Sequence, residues 1–82
     1  MDIRFSRHAK RRMNLYSIEE DDVLSMVKNN MGAWELGERF IIIDHSMNQY
    51  KLPIKVIGIK EEEAIIIVTV YPLKTKIGGL KT

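Results

Sequence analysis

The sequence of 82 residues contains no cysteine, which excludes disulfide bonds and metal sites built on thiolates. It has no run of the roughly 20 apolar residues that a membrane-spanning helix needs. Its N-terminal residues are charged and lack the apolar segment of a secretory signal. We therefore expect a cytoplasmic protein with no membrane partner, folded as one domain over residues 1–82.

The spacings of common catalytic and metal-binding motifs are also missing. The sequence has two histidines, His8 and His45, and no HxH or HExxH pattern. We interpret His45 as a histidine in a polar loop. No Ser–His–Asp arrangement is evident either, and we expect neither a metal ion nor a cofactor.

The charged residues are unevenly distributed along the chain. A formal net charge of +2 is too small to indicate nucleic-acid binding by itself. Residues 1–16, however, contain five lysines and arginines against one aspartate, and residues 19–22 are all acidic. Residues 61–63 form a second acidic run, and the C-terminal residues carry lysines without acids. Both ends of the chain are thus basic, with acidic segments between them.

The first half of the sequence predicts two helices. Ser6 is a good N-cap, and Ala9, Met13 and Tyr16 follow at helical spacing, which predicts a helix over residues 7–15. Ser17 and Glu20 have the S-x-x-E spacing of a capping box. We predict a second helix over residues 18–29, with its buried face formed by Val23, Leu24 and Val27.

The second half predicts strands. A short apolar segment at residues 33–36 precedes strand-like runs at residues 39–44, 52–60 and 64–71. The last run is apolar on both faces, which predicts a central strand, whereas Pro53 indicates an edge position or a strand start. We therefore predict an α+β fold with two N-terminal helices on one face of a four-stranded, mainly antiparallel meander. Residues 73–82 are expected to form a tail.

One group of cationic residues could bind an anion. His8, Arg11 and Arg12 stand at i, i+3 and i+4 of the first helix, near its N-terminus, where a phosphate is favoured. The competing interpretation is a solvated cationic helix face.

A pair of hydroxyl groups marks the last strand. Thr69 and Tyr71 are two residues apart, so we expect them on one face, together with Ile65 and Ile67. They could hold a phosphate or orient a base. They could equally be good strand formers at the exposed end of a strand.

Two lysines are further candidates for substrate binding. Lys55 interrupts an apolar strand, where it could neutralise an anion or, as an edge residue, deter pairing between sheets. Lys74 could extend a cationic surface along an RNA backbone, or belong to a solvated tail.

Three segments together carry a resemblance to a known family. They read I-R-F-S-x-H-A-x-x-R-M from Ile3, S-I-x-x-x-D-V from Ser17 and I-V-T-V-Y-P from Ile67. In this pattern the chain, from about Ile3 to Pro72, resembles a family of small uncharacterised domains. That family is grouped with the RelE/HigB-type toxins and with RNases of the barnase, EndoU and colicin type. The chain departs from the pattern at Tyr16 and Ser17, where relatives often have Arg-Gly.

The resemblance implies a RelE-like fold and a toxin-like, metal-independent endoribonuclease. It maps His8, Arg12, Thr69 and Tyr71 to the polar positions of the site. We expect His8 to act as general acid or base, Arg12 and Arg11 to hold the phosphate, and Tyr71 to be a candidate second proton-transfer group. The expected partners are RNA, a protein antitoxin and a second copy in a homodimer. The alternative is a non-catalytic module of the same fold that binds nucleic acid or protein.

Overall fold

The protein is described here from a computed structural model, in which residues 2–45 and 50–73 are described. Lys74 and the rest of the predicted tail after residue 73 lie outside the described residues. Six main elements follow one another along the chain. They are β1 (Asp2–Phe5), α1 (Arg7–Tyr16), α2 (Glu20–Lys28), β2 (Arg39–Asp44), β3 (Ile54–Lys60) and β4 (Ala64–Pro72).

The four strands form one mixed sheet in the order β1-β4-β3-β2. The pairs β2–β3 and β3–β4 are antiparallel, whereas β1 is parallel to β4. The predicted α+β class is confirmed. The sheet is mixed and not a simple antiparallel meander, because β1, the strand that precedes the helices, pairs in parallel with β4. In that strand Ile3 and Phe5 alternate with Asp2 and Arg4, but four residues are too short a pattern to predict a strand from sequence.

The predicted total of four strands required one in the short apolar segment of residues 33–36, but that segment forms no strand. Met31–Ala33 is a 3₁₀ turn, and the Trp34 ring stacks on Phe40 with the ring centroids 3.7 Å apart. Gly37 adopts φ 80°, a conformation that glycine accepts readily. Its N–H donates to the Lys60 carbonyl. Of the large apolar residues in this segment, Trp34 thus packs on the sheet, whereas Leu36 is exposed.

Helix α1 matches its prediction closely. It begins after Ser6, whose Oγ accepts from the Ala9 N–H, and it buries Ala9 and Met13. The predicted capping box is wrong, because Ser17 ends α1 in a left-handed conformation and is not the residue before α2. The N-cap of α2 is Glu19, and no side chain caps that helix.

The core lies between the helices and one face of the sheet. It contains Val23 and Val27 of α2, as predicted, whereas Leu24 is half-buried. The buried apolar cluster also takes Met26 of α2, with residues from α1, from the segment after it and from three strands: Ala9, Met13, Ile18, Phe40, Ile42, Ile54, Val56, Ile65, Ile67 and Val70. No helix in the described ranges is long and apolar enough to cross a membrane.

A β-bulge interrupts β4 and changes the face on which its side chains lie. Ile57 pairs with Thr69 but the next residue, Gly58, pairs with Ile67, so Val68 has no partner on β3. Ile67 is fully buried before the bulge and Val70 is fully buried after it. Because side chains alternate along a strand, Thr69 and Tyr71 face away from the core. The prediction that they share a face with Ile65 and Ile67 is therefore wrong.

The positions of β3 and β4 in the sheet can be compared directly with the predictions. The segment 64–71 is central as predicted, since β4 lies between β1 and β3. Pro53 directly precedes β3, which agrees with a strand start. The interpretation of Lys55 as an edge residue is wrong, because Lys55 pairs with Ile43 on one side and Tyr71 on the other.

Candidate functional site

A cleft of about 790 Å³ lies where α1 meets the sheet face that is turned away from the core. The cleft brings together His8 and Arg12 of α1 with Thr69 and Tyr71 of β4, the four residues that the resemblance maps to polar positions. Its lining is completed by one aromatic and three apolar residues: Tyr16, Leu52, Ile57 and Pro72. It thus combines cationic and hydroxyl groups with a wall that could receive a flat organic ring.

The helical side of the cleft is a stripe of three residues. His8, Arg12 and Tyr16 are spaced four apart, so they follow one another along one face of α1. His8 is exposed and Arg12 is half-buried. Arg12 Nη1 donates to the Tyr16 hydroxyl at 3.5 Å, which directs the guanidinium along the helix. A planar guanidinium in this position is suited to a phosphate group.

Ser6 connects this stripe to the sheet. Its N–H donates to the Ile67 carbonyl at 2.9 Å, and its Oγ donates to the Val68 carbonyl at 2.8 Å. The same Oγ accepts from the Ala9 N–H at 3.0 Å. One residue therefore binds both the bulge of β4 and the first turn of α1. His8 lies in that first turn and Thr69 directly follows the bulge. The hydrogen bonds of Ser6 therefore set the position of His8 relative to Thr69.

The sheet side of the cleft is bordered by Lys55. Its Nζ lies 5.7 Å from the centroid of the Tyr71 ring, within the range of a cation–π interaction. Lys55 and Tyr71 are register partners on neighbouring strands, so they share a face. No carboxylate is among the described residues that line the cleft. Arg12, which lines the cleft, and Lys55, which borders it, are both cationic.

Arg11 does not join the cleft. It lies on a separate groove between α1 and the start of α2, together with Arg7, Lys10, Glu19 and Glu20. Adjacent residues of a helix are about 100° apart around its axis, so Arg11 and Arg12 cannot both face one narrow cleft. The predicted set of His8, Arg11 and Arg12 therefore divides between two surfaces.

The remaining candidates lie elsewhere. His45 is an exposed residue directly after β2 and does not line the cleft. Within residues 2–45 and 50–73 there is no group of three histidine, aspartate or glutamate side chains that could hold a metal ion.

Sequence reasoning missed the part that Tyr16, Leu52 and Ile57 take in the cleft. Tyr16 was assigned to the apolar stripe of α1, although it also stands eight residues after His8, a spacing of about 80° around the helix axis that lies within one broad stripe. Leu52 and Ile57 offered no such signal. Their positions depend on the turn before β3 and on the register of β3 with β4.

A comparison of the chain with protein-family models, with curated proteins and with solved structures found no match. The resemblance to RelE-like toxins therefore stays a prediction. The case for a function depends on the geometry of the cleft.

Proposed function

We propose that the protein is a toxin-like, metal-independent endoribonuclease that binds RNA in the cleft between α1 and β4. The observation that supports this proposal is the meeting of His8, Arg12, Thr69 and Tyr71 in one cleft, with no carboxylate among its described lining residues. An imidazole that can donate or accept a proton and a guanidinium that can bind phosphate oxygens are groups that phosphodiester cleavage uses. An acidic lining would repel the RNA backbone.

The proposed reaction needs only groups of the RNA and of this chain. The 2′-oxygen of the ribose attacks the adjacent phosphorus and the bond from phosphorus to the 5′-oxygen breaks. A base removes the proton of the 2′-hydroxyl, and an acid gives a proton to the leaving 5′-oxygen. The products are a 2′,3′-cyclic phosphate and a 5′-hydroxyl.

Each residue has a role in this proposal. His8 transfers one of the two protons, and the Tyr71 hydroxyl is the candidate for the other. Arg12 binds the phosphate oxygens and stabilises the charge that gathers on them in the transition state. Thr69 positions the phosphate, and Lys55 adds positive charge at the border of the cleft.

The test is cleavage of total RNA by the purified protein with EDTA present. We expect His8→Ala to lower the cleavage rate by about 100-fold or more, as for the loss of a general acid or base. Arg12→Ala should be similarly impaired. The structure supplies matched controls in His45→Ala and Arg11→Ala, which make the same substitutions outside the cleft and should leave the rate nearly unchanged.

Equal cleavage by wild type and His8→Ala would remove His8 from the mechanism. Equal losses of cleavage rate in Arg11→Ala and Arg12→Ala would show that cleavage depends on the positive charge of α1 and not on the cleft.

A second candidate function is RNA binding without cleavage. It is favoured by one feature of the cleft, since His8 is the one imidazole there and its partner in proton transfer would be a phenol. Binding that weakens steeply with salt, with the RNA intact, would support this alternative, because phosphate contacts release counterions.

A further inference from the structure

A second, smaller compartment of about 300 Å³ adjoins the cleft. The two share Tyr16, Leu52 and Pro72, so they are continuous at the C-terminal end of α1. Tyr50 and Lys51 line the smaller compartment and do not line the cleft. A molecule that fills the cleft could therefore extend into the second space.

Tyr16 stands at the border between the two spaces. It is the last residue of α1, its side chain is 40% exposed, and its hydroxyl accepts from Arg12. The helical rise places Tyr16 about 12 Å beyond His8 along the axis of α1. The two compartments thus follow the direction of the stripe that begins at His8, with an aromatic ring between them.

The far wall of the second compartment is held by tertiary hydrogen bonds. The Tyr50 hydroxyl donates to Asp22 at 2.6 Å and accepts from the Glu19 N–H at 3.0 Å. Its side chain is thereby attached to the start of α2. Next to it, Lys51 is exposed and is the one charged residue among those that line this compartment.

We propose that the second compartment binds the nucleotide that adjoins the dinucleotide held in the cleft. The inference rests on the proposed function and extends it from the dinucleotide that carries the scissile phosphate to a third nucleotide of the same strand. Tyr16 offers its ring to a base, while Ile18 and Ile54 form an apolar floor. Lys51 pairs with the phosphate of the added nucleotide. Lys51 is a substrate-binding residue in this proposal and takes no part in bond cleavage.

The experiment compares kcat/KM for a dinucleotide with kcat/KM for trinucleotides lengthened on the 5′ or the 3′ side. We expect one of the two extensions to raise kcat/KM of the wild type by about 10-fold, the effect of an added phosphate contact and a stacked base. Lys51→Ala should lose most of that gain and keep its activity on the dinucleotide. Lys28→Ala, which removes an exposed lysine of α2, should keep the gain.

The outcomes separate this inference from the proposed function. Cleavage of the dinucleotide with no gain from either extension overturns the second subsite and leaves the nuclease in place. If no RNA is cleaved, the nuclease proposal fails, and fluorescence anisotropy with 2′-deoxy oligonucleotides decides the subsite. A length-dependent gain in affinity that Lys51→Ala removes would support it, and affinity independent of length would overturn it.

Discussion

Ser17 shows how one residue can carry a local conformational cost. Among the described residues it is the one non-glycine residue with a positive φ, at 56°. Its N–H donates to the Asn14 carbonyl at 3.3 Å, and the Ile18 N–H donates to the Met13 carbonyl at 2.8 Å. These two bonds form a Schellman motif, in which the left-handed residue is most often glycine. Serine is tolerated there because the two bonds satisfy carbonyls that the helix end leaves free.

We expect Ser17→Gly to raise the free energy of unfolding by about 0.5–1 kcal/mol, because glycine adopts positive φ without a steric penalty. Urea denaturation at neutral pH measures the change. The matched control is Ser25→Gly, the same substitution on the exposed face of α2, which should lower stability by about 0.5 kcal/mol. A loss of stability in Ser17→Gly similar to that in Ser25→Gly would contradict the conformational argument.

At the level of secondary structure, the decisive feature is the junction of β1, α1 and β4. Ser6 lies between β1 and α1, and its hydrogen bonds reach the carbonyls of Ile67 and Val68. The bulge at Val68 turns Thr69 and Tyr71 toward the cleft, and the N-cap directs His8 to the same place. The shape of the site therefore depends on how the three elements meet.

Ser6→Ala should lower the free energy of unfolding by about 1–2 kcal/mol, because it removes a helix cap and a bond to a part-buried carbonyl. Ser6→Thr retains the hydroxyl and should lose less. Ser25→Ala, on the exposed face of α2, should change stability by less than about 0.5 kcal/mol. Thermal or urea unfolding of the three variants gives the order. Equal stability of Ser6→Ala and wild type would show that the cap contributes little to this junction.

In the molecule as a whole, Tyr50 joins the segment before β3 to the start of α2. Burial raises the pKa of its hydroxyl above the ordinary value of 10.0, and the hydrogen bond to Asp22 raises this pKa further. The neutral phenol is therefore favoured in the folded protein. As pH rises above 10, the unfolded chain loses the Tyr50 proton first, so the contribution of Tyr50 to stability decreases.

We expect Tyr50→Phe to be less stable than wild type by about 1–2 kcal/mol at neutral pH, because its hydrogen bonds to Asp22 and Glu19 are lost. The difference should be constant below pH 10 and should shrink above it as the pH approaches the raised pKa. Urea unfolding of both proteins between pH 7 and 11 gives this difference directly. A difference that stays constant up to pH 11 would contradict the raised pKa of Tyr50 in the folded protein.

Much of the local structure followed from short-range signals. The hydroxyl of Ser6 and the spacing of Ala9 and Met13 predicted α1 to within one residue, since capping and helical periodicity act over a few neighbours. The apolar run of residues 64–71 predicted a central strand because a strand with both faces covered is apolar at successive positions. The prediction of a capping box was wrong because Ser17 is the left-handed residue of the Schellman motif that ends α1.

The sequence by itself determined the helices, the central strand and the residue types of the candidate site. The tertiary structure decided that β1 joins the sheet in parallel with β4 and that Arg11 lies outside the cleft. It also turned Thr69 and Tyr71 away from the core. The physical reason is that strand side chains alternate with a period of two, so one unpaired residue, Val68, reverses every face after it. The position of that residue depends on strand register and on bonds from Ser6, distant in sequence.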